Sequence, residues 1–395
     1  MTSNDIPGRS PVERARLEAQ NQPMLALLVE AGFAQIEPDI LQPADLFLDR
    51  SGEDIRTRTF VFTDPGGREL CLRPDLTVPT CRYHLETATD VAAEARYCYC
   101  GPVFRHQPLG ADPMHPREFV QVGMEWFGDT DAPAAEAQVF ALVVRALEAA
   151  GLSRYRVKLG DLGLFTSLLD SIDMPQRWRQ RLNHQFWRPR AFRELLDTLA
   201  GRRPRARSET EDLLSRLSHA SEERTVALIE EVLELEGIPL VGGRSIAEIA
   251  RRLHERARDR EEKPLPAEAV ALIESYLDIT GSPDEAAAAM RDIATQAGAR
   301  FTEALQRFEQ RFAHTRKAGL DIDTQRFSGV FGRHLEYYSG FVFQVEVESP
   351  TGWIPLAGGG RYDGLLSALG SPKQVPAVGS AIHTQRLTIA LEAQG

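Results

Sequence analysis

The stretch "GPVFRHQPLGADPMHPREFVQVGMEWFG", Gly101 to Gly128, decides the fold. Apolar residues rich in aromatic and β-branched side chains end at Phe104, resume at Phe119 and continue to Phe127, with a loop of three prolines and Gly110 between them. That pattern predicts two strands, "ARYCYCGPVFRH" and "REFVQVGMEWFG", joined by a polar loop and therefore antiparallel. Alternate strand residues share a face, so Gln121, Gly123 and Glu125 point the same way. Glu125 stands beside Trp126 and Phe127, where a carboxylate needs a partner if it is buried. Arg105 lies just before the loop and Arg117 just after it. Between them there is no Lys or Arg.

Outward from this hairpin, Glu13 to Ala31 has apolar residues at helical spacing, with Pro23 expected to bend it and Gly32 to end it. "FAQIEPDIL" reads as a strand broken by Pro38, suited to an edge or an interface. "RTFVFTD" and "RELCLRP" around "DPGG" form a second hairpin. A helix is predicted over Ala132 to Ala150 and a strand at "YRVKLGD". From Asp170 to Glu262 the chain is helical and Arg-rich. A helical return, Ala267 to Lys317, precedes closing strands in "HLEYYSGFVFQVEVE", "GWIPLAGGGRYDGLL" and "VPAVGSAIHTQRLTIALEA". The expectation is an α+β fold: an antiparallel sheet flanked by helices, with one helical insertion. It divides the chain into a first core segment 1–170, an insertion 171–262 and a second core segment 263–395.

Composition narrows the function classes. The 395 residues are 43% hydrophobic and 26% charged, values of a globular chain, with no apolar run near the ~18 residues that span a bilayer. The N-terminus lacks a signal layout, so a cytoplasmic protein without membrane contact is expected. A formal net charge of −11 argues against broad nucleic-acid binding. Cys71, Cys81, Cys98 and Cys100 make no disulfide framework and have no zinc spacing, so reduced thiols, no metal and no cofactor are expected.

Five stretches carry polar residues able to converge on one pocket. "LRPDLT" places Asp75 and Thr77 on one face if extended, although Asp75 after Pro74 also suits a turn. The opening hairpin adds Gln121 and Glu125. "GRHLEYYSG" offers Arg333, Glu336, Tyr337 and Tyr338; "AGGGRYDGL" offers a glycine run, Gly358 to Gly360, that a ligand can approach closely; "SAIHTQRL" brings Arg386. Singly, each has a structural explanation: a turn, an ion pair, a core tyrosine.

Together, in this order, these motifs resemble the catalytic domain of histidyl-tRNA synthetase, a class II synthetase, over most of the chain outside the helical middle. The resemblance implies a pocket for free histidine. Asp75, Thr77 and Gln121 would accept from the α-ammonium, Arg333 would pair with the α-carboxylate, and Glu125 and Tyr338, with Tyr337 beside it, would meet the imidazole. Asp75 replaces the family's glutamate and Glu336 its aspartate, both conservatively.

The nucleotide half departs further. Arg105 and Arg386 match the family's motif 2 and motif 3 arginines, and Arg117 closes the motif 2 loop. Gln107, however, replaces an adenine-contacting glutamate, His383 a glycine ahead of the motif 3 arginine, Gln385 an acidic residue, and His334 another glycine. An imidazole at residue 383 is expected to fill nucleotide space unless it turns into the core. Nine residues follow Arg386, so no anticodon-binding domain is expected. A kept histidine pocket beside an eroded nucleotide pocket resembles the regulatory subunits of ATP phosphoribosyltransferase. These are noncatalytic synthetase paralogues that join a short-form catalytic subunit, around a homodimer core, and make the first step of histidine biosynthesis sensitive to L-histidine. The alternative is a stand-alone, adenylate-forming, histidine-activating paralogue. The loop from Gln107 to Pro116 and the insertion are the candidate moving parts.

"QRWRQRLNHQFWRPRAFRELLDTLAGRRPRAR", Gln176 to Arg207, holds ten arginines among four aromatics. It admits a nucleic-acid reading, with a tRNA-like structure as ligand. The favoured reading is a helix pair whose aromatics form a core and whose arginines are solvated or paired with acids near Glu209 to Glu211. A protein interface ranks next and nucleic acid last.

Overall fold

The computed structural model describes residues 8–48, 53–202, 221–235, 245–333, 337–349 and 352–394. It separates into two compact units, Met1–Ile172 with Glu274–Gly395, and Asp173–Ile273.

Among the described residues the first unit holds β1 (Ala34–Gln35), β2 (Leu41–Pro43), β3 (Phe60–Thr63), β4 (Glu69–Leu72), β5 (Ala95–Phe104) and β6 (Glu118–Phe127). They are followed by β7 (Arg156–Asp161), β8 (Thr280–Gly281), β9 (Arg326–Ser328), β10 (Phe341–Ser349), β11 (Gly352–Arg361) and β12 (Ala377–His383). Nine form one sheet in the order β1-β5-β6-β12-β11-β10-β7-β9-β8, and β2-β4-β3 form a second. The large sheet is mixed, not purely antiparallel as expected, because β1 pairs with β5 and β7 with β9 in parallel. Both parallel partners are short additions toward the sheet's margins. The central ladder is antiparallel, and β5 and β6 pair along their whole length.

The opening hairpin thus forms as its pattern predicts. So does β3–β4, whose turn is closed by Asp64 accepting from the Arg68 N–H at 2.9 Å, with Gly67 at φ +83°. The helix Pro11–Glu30 starts in a Ser10/Glu13 capping box and runs through Pro23 without interruption. "FAQIEPDIL" splits at Pro38 into β1 and β2, which join different sheets.

Helix Ala132–Ala149 packs across β11 and β12 and against helices Pro11–Glu30 and Ala299–Lys317. Charges are buried at this junction. Arg361, at the end of β11, bonds Glu136, Asp129 at 3.1 Å and Asp363 at 2.8 Å; Arg311 bonds the same Glu136 and Asp161 at 2.8 Å. Burial alone would raise the pKa of Glu136, but Arg311 and Arg361 outweigh it and hold the carboxyl below its ordinary value.

Two local expectations change. "LRPDLT" is not an extended segment: a helix begins at Thr77 and runs to Thr87, with Pro79 tolerated in its first turn and Asp75 Oδ1 accepting from the Val78 N–H at 3.2 Å. The last segment is a strand only to His383; Arg386 sits in a helix, Thr384–Gln394.

In the second unit Trp178, Phe186 and Phe192 are buried, as the helix-pair reading expects. Arg177 pairs with Asp259 at 2.7 Å and Glu262 at 2.9 Å, and Arg181 with Asp259, so the acids come from helix Ile246–Glu261 and the residue after it. Residues 203–220, including Glu209 to Glu211, lie outside the described residues.

Candidate functional site

β6, β12 and β11 present one row of facing residues: Glu125 opposite Gly379, Gly123 opposite Ala381, Ala381 opposite Gly358. Side chains this small leave a hollow over the sheet. Asp75, Thr77, Gln121, Arg333, Tyr337 and Tyr338 all line that cavity, with Tyr362 among the other walls. His334 and Glu336 lie outside the described residues.

Glu125 is fully buried beneath the floor and is not itself a lining side chain. Thr77 Oγ1 donates to its Oε1 at 2.7 Å, the Tyr99 hydroxyl to the same oxygen at 2.9 Å, and the Tyr362 hydroxyl to Oε2. Burial pushes its pKa up to about 7, against the pull of the hydroxyls of Tyr362, Thr77 and Tyr99. A Cβ at residue 379 would collide with Oε2, which explains the glycine there. Thr77 and Tyr362, both bonded to Glu125, stand between it and the cavity. Thr77 and Tyr362 reach the cavity and hold the carboxylate behind them.

Two acceptors on the cavity wall lack partners. Asp75 is 3% exposed and Gln121 7%; Asp75 Oδ2 and Gln121 Oε1 are buried with no hydrogen bond. Such atoms are costly unless a donor fills the space between them. Thr77 Oγ1, having given its proton to Glu125, keeps lone pairs for the same donor. Burial raises the Asp75 pKa, with Arg105 opposing. Arg333 supplies the opposite charge: its Nη1 donates to the Phe343 carbonyl at 3.2 Å, its Nε has no partner, and Gly358 leaves the room its guanidinium occupies. The cavity thus offers acceptors for a cation and a fork for an anion, as a small zwitterion requires.

A second cavity adjoins the first and shares Arg105, Phe119, Arg333, His383 and Arg386 with it. His383 does not turn into the core. Its ring lies flat on Phe119, centroids 4.0 Å apart and planes within 2°, and its Nδ1 accepts from the Arg386 N–H at 3.3 Å. Burial, then Arg386 and Arg105, hold it neutral by keeping its pKa well below the ordinary histidine value. Gln107 is committed to Arg58 at 2.9 Å and to the Pro116 carbonyl at 3.0 Å. Of the five residues expected here, Arg105, Gln107, His383 and Arg386 meet; Arg117 is exposed and lines neither cavity. The loop between the strands is held by Arg386, whose Nε donates to the Met114 carbonyl at 2.8 Å.

Sequence reading missed Tyr99, Tyr362, Phe119 and Arg58. Tyr99 had a signal: in a β5–β6 ladder it pairs with Gly123, a bulky ring over an empty position. Tyr362 follows the glycine run directly. Arg58 gave none.

Antiparallel core, glycine-floored pocket and paired arginines define a histidyl-tRNA synthetase-like, class II fold. The family model described as "Histidyl-tRNA synthetase" matches residues 6–258 and 241–387. Among solved structures, the ATP phosphoribosyltransferase regulatory subunit/histidyl-tRNA synthetase from Bacillus halodurans superposes with a TM-score of 0.69 at 21% identity, covering 99% of this chain and 84% of that one. Apo S. aureus histidyl-tRNA synthetase superposes at 0.56 and 18% identity, covering 99% and 73%. These two share the fold.

In sequence the chain is 36% identical over 366 residues to the ATP phosphoribosyltransferase regulatory subunit of Sinorhizobium fredii, covering 91% of this chain and 93% of that one. It is 36% identical over 369 residues to that of Rhizobium johnstonii, covering 92% and 95%. The chain belongs to the ATP phosphoribosyltransferase regulatory subunit family.

Proposed function

We propose that this chain is a regulatory subunit of ATP phosphoribosyltransferase that binds free L-histidine and forms no adenylate. It acts in the cytoplasm, in histidine biosynthesis, with a short-form catalytic subunit. The observation that carries the histidine reading is the pair of orphaned acceptors, Asp75 Oδ2 and Gln121 Oε1, in one cavity with the Arg333 guanidinium. An α-amino acid satisfies both ends at once. Tyr338 and Tyr362 line the same cavity, where an imidazole would lie against them. Glu125 acts through Thr77 and Tyr362 by fixing their protons.

Loss of adenylation is supported by His383, whose ring stacks on Phe119 in the cavity lined by Arg105 and Arg386 and takes up space there. The names of the relatives support the partner. A homodimer core is supported by the small sheet. Leu41, Pro43, Phe60, Phe62, Leu70 and Leu72 share one face of it, and Leu41 and Phe62 are 50% and 40% exposed. Feedback then requires only that histidine bind one quaternary arrangement better than another.

Retention of Arg105 and Arg386 favours the second reading, an adenylate-forming paralogue. Calorimetry with L-histidine, together with histidine-dependent exchange of pyrophosphate into ATP, separates the two. Saturable histidine binding without exchange is expected. Robust exchange by the purified chain defeats the regulatory reading, and absence of histidine binding defeats the effector site.

A further inference from the structure

Tyr337 and Tyr338 line the first cavity, yet they belong to no strand or helix. Their rings lie against each other with centroids 4.9 Å apart, and against Tyr362 at 5.6 and 6.3 Å. Ring packing of this kind tolerates a range of positions, so it does not by itself place a wall. The placement comes from the next two residues. The Ser339 N–H donates to the Arg361 carbonyl at 2.8 Å, and the Ser339 hydroxyl accepts from the Asp363 N–H at 3.1 Å. The Gly340 carbonyl accepts from the Leu162 N–H at 3.0 Å, and a Cβ at residue 340 would come within 3.2 Å of the Arg361 side chain.

Asp363 closes this arrangement from the other side. Its Oδ1 accepts from Arg361 Nη1 at 2.8 Å and from the Ala377 N–H at 2.9 Å, so one oxygen ties the end of β11 to the start of β12. Tyr362 stands between the two charged residues; it donates its N–H to the Ala377 carbonyl at 2.8 Å and its hydroxyl to Glu125. Arg361 is itself buried against Asp129 and Glu136, so the anchor is rooted in the charged junction. Ser339 is exposed, the Asp363 side chain is 32% exposed, and neither residue lines either cavity. An exposed serine hydroxyl has little to contribute by packing. Its one resolved bond joins the tyrosine segment to the strand end, and a site carried on an irregular segment depends on such support for its geometry.

We propose that Ser339 and Asp363 are positioning residues: the bond between them sets where Tyr337 and Tyr338 stand over the cavity, and so tunes its affinity for the ligand's side chain. The effect on affinity rests on the free-histidine reading. The placement of the wall does not.

Fluorine NMR on the full chain labelled with fluorotyrosine reads the wall directly, since the eight tyrosines give few enough resonances for Tyr337→Phe and Tyr338→Phe to assign these two. Ser339→Ala removes the hydroxyl and keeps the backbone bond; Ser339→Thr restores an acceptor. Asp363→Ala removes the oxygen shared by Arg361 and Ala377, while Arg361 keeps Asp129 and Glu136. In Ser339→Ala and Asp363→Ala both assigned resonances should shift or broaden, and calorimetry should show L-histidine binding weakened about threefold or more. Ser339→Thr should return both readouts to wild-type values. Should Asp363→Ala fail to fold, the Ser339 pair decides. Resonances unmoved in Ser339→Ala overturn the proposal, and so does a histidine affinity within twofold of wild type once they have moved. If the unmodified chain binds no histidine, the effector reading falls, and the resonances alone decide whether the anchor places the wall.

Discussion

Glu125 has no water contact and three hydroxyls, and its charge state is set by their competition with burial. Its folded pKa of about 7 lies above the unfolded value of 4.5, so between those values the folded chain binds more protons than the unfolded one. Stability contributed by this group is therefore greatest below pH 4.5 and declines as pH rises to 7. Integrated over that window the loss is on the order of 3 kcal/mol. Glu125→Gln should remove the slope, so its stability relative to wild type should improve between pH 5 and pH 8. Urea unfolding at the two pH values measures this, and parallel curves would show that the carboxyl titrates normally. Asp75 makes a sharper case for the ligand. Asp75→Asn keeps the size and the bond to Val78 but removes the charge facing the ammonium, so histidine affinity should fall tenfold or more, about 1.4 kcal/mol or above. Titration calorimetry reads it, and an unchanged affinity would place the ammonium elsewhere.

Elements differ in how plainly the sequence announces them. β5, β6, β10 and the β3–β4 hairpin were legible because apolar alternation and turn residues coincide there. The helix at Thr77 was not, since Thr-Val-Pro-Thr has the β-branched look of a strand and its start depends on Asp75 and on packing. The parallel pairings of β1 and β9 were equally hidden, because strands of two or three residues carry no period to read. Most of the residues lining the cavity could be named from motif order, but the hydroxyl partners of Glu125 could not. Tyr99 and Tyr362 reach it from 26 and 237 positions away. The same distance concealed the junction of helices Ala132–Ala149 and Ala299–Lys317 with β11, where Glu136 meets Arg311 and Arg361. Glu136→Ala would strand two buried guanidiniums, and breaking a buried pair from one side costs about 3–5 kcal/mol. Equilibrium unfolding should show that loss with little change in denaturant slope. A loss under about 1 kcal/mol would mean the arginines reach Asp129, Asp161 and Asp363 well enough without it.

At the scale of the whole molecule, the apolar face of β2-β4-β3 has to be reconciled with a chain carrying a net charge of −11. Like-charged copies repel at long range, yet a contiguous apolar sheet face is covered in stable proteins because its exposure favours association. On the proposed homodimer, six apolar side chains on one face would outweigh diffuse repulsion at physiological salt, where the Debye length is only ~8 Å. Burying a Phe or Leu there contributes ~1.5–3 kcal/mol each. Replacing Phe62 by glutamate removes one such contribution and, in a two-fold contact, does so twice. The expected result is a dissociation constant raised at least a hundredfold, seen by sedimentation velocity as a shift toward monomer at micromolar concentration. Residue 62 lines neither cavity, so histidine affinity per chain should survive in that monomer. If Phe62→Glu leaves the sedimentation coefficient unchanged, the face is not where copies meet. If histidine binding disappears along with the dimer, the pocket is completed across the interface rather than within one chain.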